Sequence, residues 1–142
     1  MHTKNKVITV ETTVKAPVEK VWERWTMPEH IKNWNKATED WHTPKAENDL
    51  RPGGRFVSRM EAKDGSVGFD FGGTYDVIDA NKLISYTLDD GRKVEITFSS
   101  AGDTTKITES FEAENTNPIE MQKGGWQAIL DNFKKNAESK HR

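Results

Sequence analysis

Evenly spaced turn signals in the middle of the chain restrict its fold more than any other feature of the sequence. Between about Glu39 and Glu114, short runs of alternating apolar residues are separated by segments rich in glycine, aspartate and asparagine. These segments read RPGGR, KDGS, DDGR and AGDT, with DANK as a weaker signal. Turns of this length leave no room for the crossovers that parallel strands require. The sequence therefore predicts a meander of antiparallel strands.

The predicted strands lie between these turns and alternate with a period of two, or nearly so. A further strand is predicted at Lys6–Lys15, where the apolar residues alternate and one face is expected to be buried. The expected sheet has about six or seven strands. Those of the meander with clear bounds are Phe56–Glu61, Val67–Ile78, Leu83–Leu88, Lys93–Ser99 and Lys106–Ala113.

Helical periodicity replaces the alternation on both sides of the meander. Pro17 and Pro28 each suit the first turn of a short helix, and an apolar stripe with i, i+3, i+4 and i+7 spacing follows Pro17. From Pro118 to about Ser139 the period is helical again. A helix of about 20 residues is about 30 Å long, which is enough to cross a sheet.

These elements predict a single α+β domain over residues 1–142. In it a curved antiparallel sheet wraps around a long C-terminal helix, and two short helices connect the first two strands. A curved sheet and a straight helix cannot meet along their full length, so we expect a cavity between them.

The composition of the chain narrows the classes of function. A formal charge of −2, with 21 basic and 23 acidic residues, gives no general attraction to nucleic acid or anionic membranes. Neighbouring carboxylates dilute the lysines around Trp34 and Trp41, so no nucleic-acid platform is expected. The chain has no cysteine, no HxxxH or HxH spacing, no signal-peptide pattern and no apolar run near the ~20 residues of a membrane span. We expect a cytoplasmic monomer or homodimer without cofactor, metal site or membrane insertion.

Four segments of the chain resemble a known family in their residues and their order. They are Ala16–Trp34 (APVEKVWERWTMPEHIKNW), Asp49–Phe56 (DLRPGGRF), Phe71–Thr87 (FGGTYDVIDANKLISYT) and Gly125–Phe133 (GWQAILDNF). The chain resembles the START-like (SRPBCC) helix-grip superfamily, in the branch of homologues of the activator of the 90-kDa heat-shock-protein ATPase. One corner differs, because Trp34-Asn35-Lys36 stands where the family often has paired tryptophans and a glycine.

The resemblance implies a helix-grip fold and three alternative functions. Members of the superfamily bind lipids, hormones or polyketides, or cyclise them, and the eukaryotic co-chaperones of this branch bind a chaperone. We expect the binding of a small, largely apolar or aromatic ligand between the sheet and the C-terminal helix. The first alternative is a co-chaperone-like module in the stress response, which contacts a heat-shock-protein ATPase through its outer sheet face and the LRPGGRF corner. The second is a polyketide cyclase-like or hydrolase enzyme, although we expect a binding protein rather than an enzyme.

Strand and helix residues whose position in the period points their side chains inward, which we call the inward phase, are expected to line the cavity. The apolar and aromatic candidates are Trp22, Met60, Phe69, Phe71, Tyr75, Tyr86, Phe98, Phe111, Trp126, Ile129 and Phe133, with Glu109 and His42 as polar contacts.

Glu109 is the exception in an otherwise apolar inward phase. It lies between Ile107 and Phe111, where a buried carboxyl is expected to have a raised pKa and to suit a general acid or a polar ligand contact. Two structural alternatives remain, namely a bulge that shifts the register and an ion pair with Arg59 or Lys106.

The histidines give a weaker indication. We interpret His42 as an exposed histidine of an edge strand, and a base or hydrogen-bond donor at the cavity mouth is the alternative. We interpret His30 as a surface residue, and His2 and His141 lie near the chain ends.

Two glycine pairs carry structural information. Gly53-Gly54 in LRPGGRF suits either an anion cradle or a tight turn, and a hairpin turn is predicted because the pair leads into a strand rather than a helix. Gly124-Gly125 lies inside the predicted long helix, where two glycines together cost about 2 kcal/mol relative to alanine. We favour close packing of the helix backbone as the reason. Room for a ligand beside Trp126, or a kink, is the alternative.

Overall fold

A curved antiparallel sheet of seven strands wraps around a long C-terminal helix in the computed structural model, which describes residues 6–36 and 38–138. The strands are β1 (Val7–Val14), β2 (Trp41–Asn48), β3 (Arg55–Ala62), β4 (Gly68–Asp79), β5 (Leu83–Leu88), β6 (Lys93–Ala101) and β7 (Thr104–Glu112). The helices are α1 (Val18–Thr26), α2 (Pro28–Trp34) and α3 (Ile119–Glu138). The predicted helix-grip fold is confirmed. Two of the histidines, His2 and His141, lie outside the described residues.

The first strand of the chain, β1, joins the sheet beside the last strand of the meander, β7. The order across the sheet is β1-β7-β6-β5-β4-β3-β2, and every neighbouring pair is antiparallel. β2 is therefore an edge strand, and its pairing with β3 shifts register between His42 and Lys45. Pro44 lies at this shift and is exposed, which fits the rule that proline in a sheet is confined to edges and bulges.

Hydrogen bonds on both flanks hold α3 close to β1 and α2. On one flank the Lys134 ammonium donates to the backbone oxygen of Thr13 at 2.7 Å. On the other flank the Asn132 amide donates to the backbone oxygen of Lys36, just after α2. The helix is thereby held at the β1 side of the sheet, and the space above β3 and β4 lies away from these attachments.

The C-terminal half of α3 contributes fully buried residues to the core. Leu130, Phe133 and Ala137 are fully buried because their spacing places them on one face of the helix. The ring of Phe133 lies 4.8 Å from that of Trp25 and 5.0 Å from that of Trp34, both edge to face. The two short helices therefore attach to the long helix through aromatic packing.

The LRPGGRF segment is a turn that leads into β3. Gly53 has a φ of 83°, and the Gly54 amide donates to the backbone oxygen of Arg51 at 2.8 Å. The Gly53 amide donates to the backbone oxygen of Tyr75 at 2.8 Å, and a Cβ atom on Gly54 would lie 2.1 Å from the backbone oxygen of Asp49. Both amides are thus used within the protein, which fits the predicted turn and argues against an anion cradle.

The interpretation favoured for Gly124 and Gly125 is wrong. α3 runs without interruption from Ile119 to Glu138, and a Cβ atom on either glycine would meet nothing within 4 Å. Close packing of the helix backbone therefore does not explain the pair. Open space beside Trp126 is the alternative that fits, because Gly125 precedes this residue and is half-buried.

Candidate ligand-binding cavity

A cavity of about 300 Å³ lies between the three helices and the concave face of the sheet, where β2 to β5 provide most of the strand residues and β7 provides Glu109. Phe69, which is 46% exposed, and the exposed Glu47 belong to its wall and mark the side that faces solvent. Most of the wall is aromatic or aliphatic. The complete lining is Trp25, Ile31, Trp34, Asn35, Trp41, Glu47, Asn48, Phe56, Ser58, Met60, Phe69, Phe71, Tyr75, Ile84, Tyr86, Glu109, Trp126 and Ile129.

Most of the residues that the sequence predicts at the cavity are found in its wall. The strand residues among them come mainly from β3, β4 and β5, on the part of the sheet that lies away from the attachments of α3. The predicted residues in the wall are Met60, Phe69, Phe71, Tyr75, Tyr86, Glu109, Trp126 and Ile129.

The other aromatic candidates pack in the core and do not line the cavity, which corrects the sequence prediction. Trp22 and Phe98 pack edge to face with ring centres 5.3 Å apart. Phe111 stacks on Trp126 at 3.9 Å, with 11° between the ring planes, so Trp126 separates it from the cavity. Phe133 is fully buried between the helices. Each of these residues has the inward phase, but another ring covers it.

His42 also lies outside the cavity wall. Its neighbour Trp41 lines the cavity, and successive side chains of a strand point to opposite faces. The His42 Nε2 atom lies 3.8 Å from Oε1 of Glu61, and the side chain is half-buried on the edge strand. This position matches the interpretation of His42 as an edge-strand histidine rather than a group at the cavity mouth.

Several wall residues were not predicted to lie there. Phe56, Ser58 and Ile84 have the predicted inward phase, and the alternation of β3 and β5 was sufficient to find them. Trp41 and Asn48 lie on β2, where the sequence WHTPKAEN has no alternation that could indicate an inward face. The remainder come from α1, α2 and the segment after α2, namely Trp25, Ile31, Trp34 and Asn35, with Glu47 at the rim.

Glu109 lies on the inner face of β7, as its inward phase predicts. Val10 of β1 and Ile96 of β6 are its partners in register, and β7 pairs with both strands without a shift. A bulge is therefore excluded. The residue is 6% exposed, and burial raises the pKa of its carboxyl to about 8.

The carboxyl of Glu109 has no hydrogen bond or ion pair with another residue in the described part of the chain. Arg59, a proposed partner, binds Glu61 at 2.9 Å and Asp70 at 3.4 Å. Lys106, the other proposed partner, lies 3.5 Å from Glu11 on the opposite face. Among the described residues, no fully enclosed side-chain nitrogen or oxygen lacks a partner, so the Glu109 oxygens reach the open space of the cavity.

Comparison with known proteins assigns the chain to a family. Residues 15–138 match the family model described as "Activator of Hsp90 ATPase homolog 1-like protein". The chain belongs to this family. The finding confirms the resemblance to the START-like helix-grip superfamily, and it assigns no ligand or partner.

Solved structures of other members of this fold agree with the assignment. The AHSA1-like protein from Aeromonas hydrophila is 42% identical over 96% of this chain and 98% of its own, with a TM-score of 0.88. Chr148 from Cytophaga hutchinsonii is 55% identical over 95% of this chain and 96% of its own, with a TM-score of 0.80. CV1439 from Chromobacterium violaceum is 23% identical with a TM-score of 0.85, which shows the fold alone. No curated protein matches the chain significantly.

The end of α2 in this AHSA1-like domain, where Trp34 and Asn35 lie, contributes to the cavity. Trp34 is buried, its indole N–H donates to the backbone oxygen of Arg24 at 2.9 Å, and its ring forms part of the wall. Asn35 lines the cavity beside it. Its backbone oxygen accepts a hydrogen bond from the Thr43 hydroxyl at 2.6 Å, which ties α2 to the edge strand.

Two tyrosine hydroxyls add polar groups to the cavity of this AHSA1-like domain. The Tyr75 hydroxyl donates to Oδ1 of Asn48 at 2.5 Å, and Asn48 in turn donates to the backbone oxygen of Thr26 at 2.6 Å. Tyr86 has no hydrogen-bond partner in the described part of the chain. Burial raises the pKa of both hydroxyls, with the charge of Glu109 adding to the rise at Tyr86, so both stay neutral.

The described residues contain neither a membrane-spanning helix nor a cluster of metal-binding side chains. Within residues 6–36 and 38–138, no helix has the length and apolarity needed to cross a membrane. The same residues contain no group of three or more histidine, aspartate or glutamate side chains arranged to hold a metal ion.

Proposed function

We propose that the cavity binds one small, largely aromatic or apolar molecule. The main support for this proposal is the volume of the cavity, about 300 Å³. That volume is at the lower end of the roughly 300–1,000 Å³ typical of small-molecule pockets, and about twice the ~150 Å³ cavity that accommodates benzene. A ligand of about two rings fits it.

The energetic cost of the cavity supports a functional role. For a closed apolar cavity of 300 Å³, a cost of about 24 cal/mol per Å³ would give about 7 kcal/mol, and this is an upper bound here because the cavity opens to solvent. Domains are stable by only about 5–15 kcal/mol in total, so a space of this size works against stability when it is unfilled. A bound apolar molecule restores the dispersion contacts that the wall lacks.

Gly125 of α3 also supports the proposal. A glycine inside a helix costs about 1 kcal/mol relative to alanine, and close packing does not offset that cost at this half-buried position. Gly125 flanks Trp126, so the missing side chain leaves space on the side of α3 that bears the wall residues Trp126 and Ile129.

Filling the cavity tests the proposal. Ser58 is buried on the inner face of β3 and lines the cavity, so Ser58→Phe places a ring in the space without removing an existing contact. We expect the variant to fold with equal or greater stability and to lose at least about tenfold in affinity for a neutral two-ring probe, naphthalen-1-ylmethanol. In the wild type, a probe concentration of a hundred times Kd adds about 2.7 kcal/mol of stability, which a thermal-shift assay detects. Native mass spectrometry should show one probe molecule per chain.

Ser99→Phe is the matched control, because Ser99 is exposed on β6 and lies outside the cavity wall. It should bind the probe as the wild type does. Wild-type affinity in Ser58→Phe, or no binding of any two-ring probe by the wild type, would contradict the proposal.

One observation favours the enzymatic alternative as a second candidate. A cyclase-like reaction requires a group in the cavity that can hold a transferable proton near neutral pH, and the raised pKa of Glu109 meets this requirement. Recovery of the bound molecule distinguishes the two functions, since a binding protein returns it unchanged and an enzyme returns a product of different mass or retention time.

The LRPGGRF corner gives less support to a co-chaperone contact. Its exposed arginines are already paired, Arg51 with Asp49 at 2.9 Å and Arg55 with Asp89 at 2.9 Å. We therefore place the proposed function inside the fold rather than on this corner.

A further inference from the structure

The charged groups of the cavity are all of one sign. Its wall contains the carboxyls of Glu47 and Glu109, and no lysine, arginine or histidine from the described part of the chain. Glu47 lies at the solvent side and pairs with Lys45 at 3.0 Å. Glu109 is the inner carboxyl, and it has no such partner.

The surroundings of Glu109 do not supply a compensating charge. Val10 and Ile96 flank it in the sheet, and the wall residues that α3 contributes are Trp126 and Ile129. Among the described residues, the titratable groups that share the cavity with it are the exposed carboxyl of Glu47 and the neutral hydroxyls of Tyr75 and Tyr86. Arg92, whose charge acts on Tyr86, lies outside the wall and pairs with Asp90 at 2.8 Å. A buried carboxylate without a counterion is costly, and a counterion brought by a ligand removes that cost.

The aromatic rings of the wall also favour a positively charged ligand. The faces of aromatic rings carry negative potential and attract cations, most strongly in tryptophan. Trp25, Trp34, Trp41 and Trp126 all line the cavity. The inner carboxyl and the ring faces therefore both favour a positive ligand and oppose a negative one.

We propose that the ligand is a cationic aromatic amine of about two rings, whose protonated nitrogen donates to the Glu109 carboxylate while its rings pack against the tryptophans. This inference rests on the proposed function, since it names the chemical class that the cavity selects. The Tyr86 hydroxyl, which has no partner among the described residues, is placed to complete the polar end of the site.

A matched set of ligands tests the charge preference in the wild-type protein. Naphthalen-1-ylmethanamine, naphthalen-1-ylmethanol and naphthalene-1-carboxylate share one ring system and differ in charge. An alkylamine with a pKa near the ~10.4 of lysine is cationic at pH 8. By isothermal titration calorimetry at pH 8 we expect the amine to bind at least about tenfold more tightly than the alcohol, and the carboxylate at least about tenfold more weakly.

The pH dependence of binding gives a second, independent readout. Below about pH 8 the free protein holds a proton on Glu109, and the bound ammonium displaces it. We therefore expect the affinity for the amine to rise at least about tenfold from pH 6 to pH 8, with release of a proton, and the affinity for the alcohol to stay within about threefold. His30 and His42 lie outside the wall, so the alcohol reports any contribution from them.

Variants locate the effect at Glu109. Glu109→Gln keeps the shape of the side chain and removes its charge, and it should lower the affinity for the amine at least about tenfold while changing that for the alcohol by less than about threefold. Glu95→Gln is the matched control, because Glu95 is exposed on β6. The ligand series in the wild type tests the inference even if Glu109→Gln folds poorly.

The outcomes separate this inference from the function on which it rests. If the alcohol binds the wild type as tightly as the amine, or Glu109→Gln leaves the amine affinity unchanged, the inference is overturned and the proposed function stands. If none of the three ligands binds the wild type, both are overturned.

Discussion

Replacing Glu109 by glutamine should abolish the loss of stability that the buried carboxyl causes in the wild type between pH 5 and pH 8. Burial raises the pKa of Glu109 from its ordinary value of 4.5 to about 8. Below the lower value the folded and unfolded states both hold the proton, so the carboxyl makes no pH-dependent contribution. Above pH 4.5 the carboxyl ionises in the unfolded state but keeps its proton in the folded state. The free energy of unfolding therefore falls by about 1.4 kcal/mol per pH unit until the carboxyl of the folded state ionises near pH 8.

Urea unfolding at pH 5, 6, 7 and 8 measures this effect. The free energy of unfolding of Glu109→Gln minus that of the wild type should increase by about 3–4 kcal/mol across the series. Carboxyls with lowered pKa values, such as Asp89 and Glu138, contribute mainly at lower pH and are common to both proteins. Glu95→Gln should follow the wild type. A constant difference between wild type and Glu109→Gln would show that the carboxyl is not desolvated as described.

Phe133→Ala should destabilise the protein by about 3–5 kcal/mol, a large part of the stability of a domain. Phe133 is fully buried, and its ring packs edge to face against Trp25 and Trp34. Truncation leaves a void at the point where both short helices attach to α3. Urea unfolding should show a lower midpoint with little change in the slope.

Phe69→Ala is the matched phenylalanine control for this prediction. Phe69 lines the cavity and is 46% exposed, so its loss should cost less than about 1 kcal/mol. Equal losses in the two variants would contradict the assignment of Phe133 to the core and of Phe69 to the cavity wall.

The sequence was sufficient for most of the fold because local signals agreed with one another. Alternation bounded by glycine-rich turns located β3 to β7, and proline followed by helical periodicity located the three helices. β2 was the exception. It is an edge strand with exposed Pro44 and a register shift, so it needs no continuous apolar face and shows no alternation.

The phase of the strands and of α3 predicted many of the residues in the cavity wall, and one side chain stood out from its neighbours. Glu109 was found because a carboxyl interrupts an apolar phase, and the structure places it in the cavity wall. Phase alone does not show which inward residues border open space. Phe111 and Tyr86 both point inward, but Trp126 covers Phe111, and that depends on where α3 rests on the sheet.

The indole N–H signals of the tryptophans show whether the space beneath α3 receives a ligand. Trp25, Trp34, Trp41 and Trp126 line the cavity, while Trp22 packs against Phe98 outside the wall and serves as an internal control. In a two-dimensional ¹H–¹⁵N spectrum, titration with naphthalen-1-ylmethanol should shift the four wall indoles and leave that of Trp22 in place. If the four wall indoles do not shift, or shift no more than Trp22, the account of the cavity as a ligand site is contradicted.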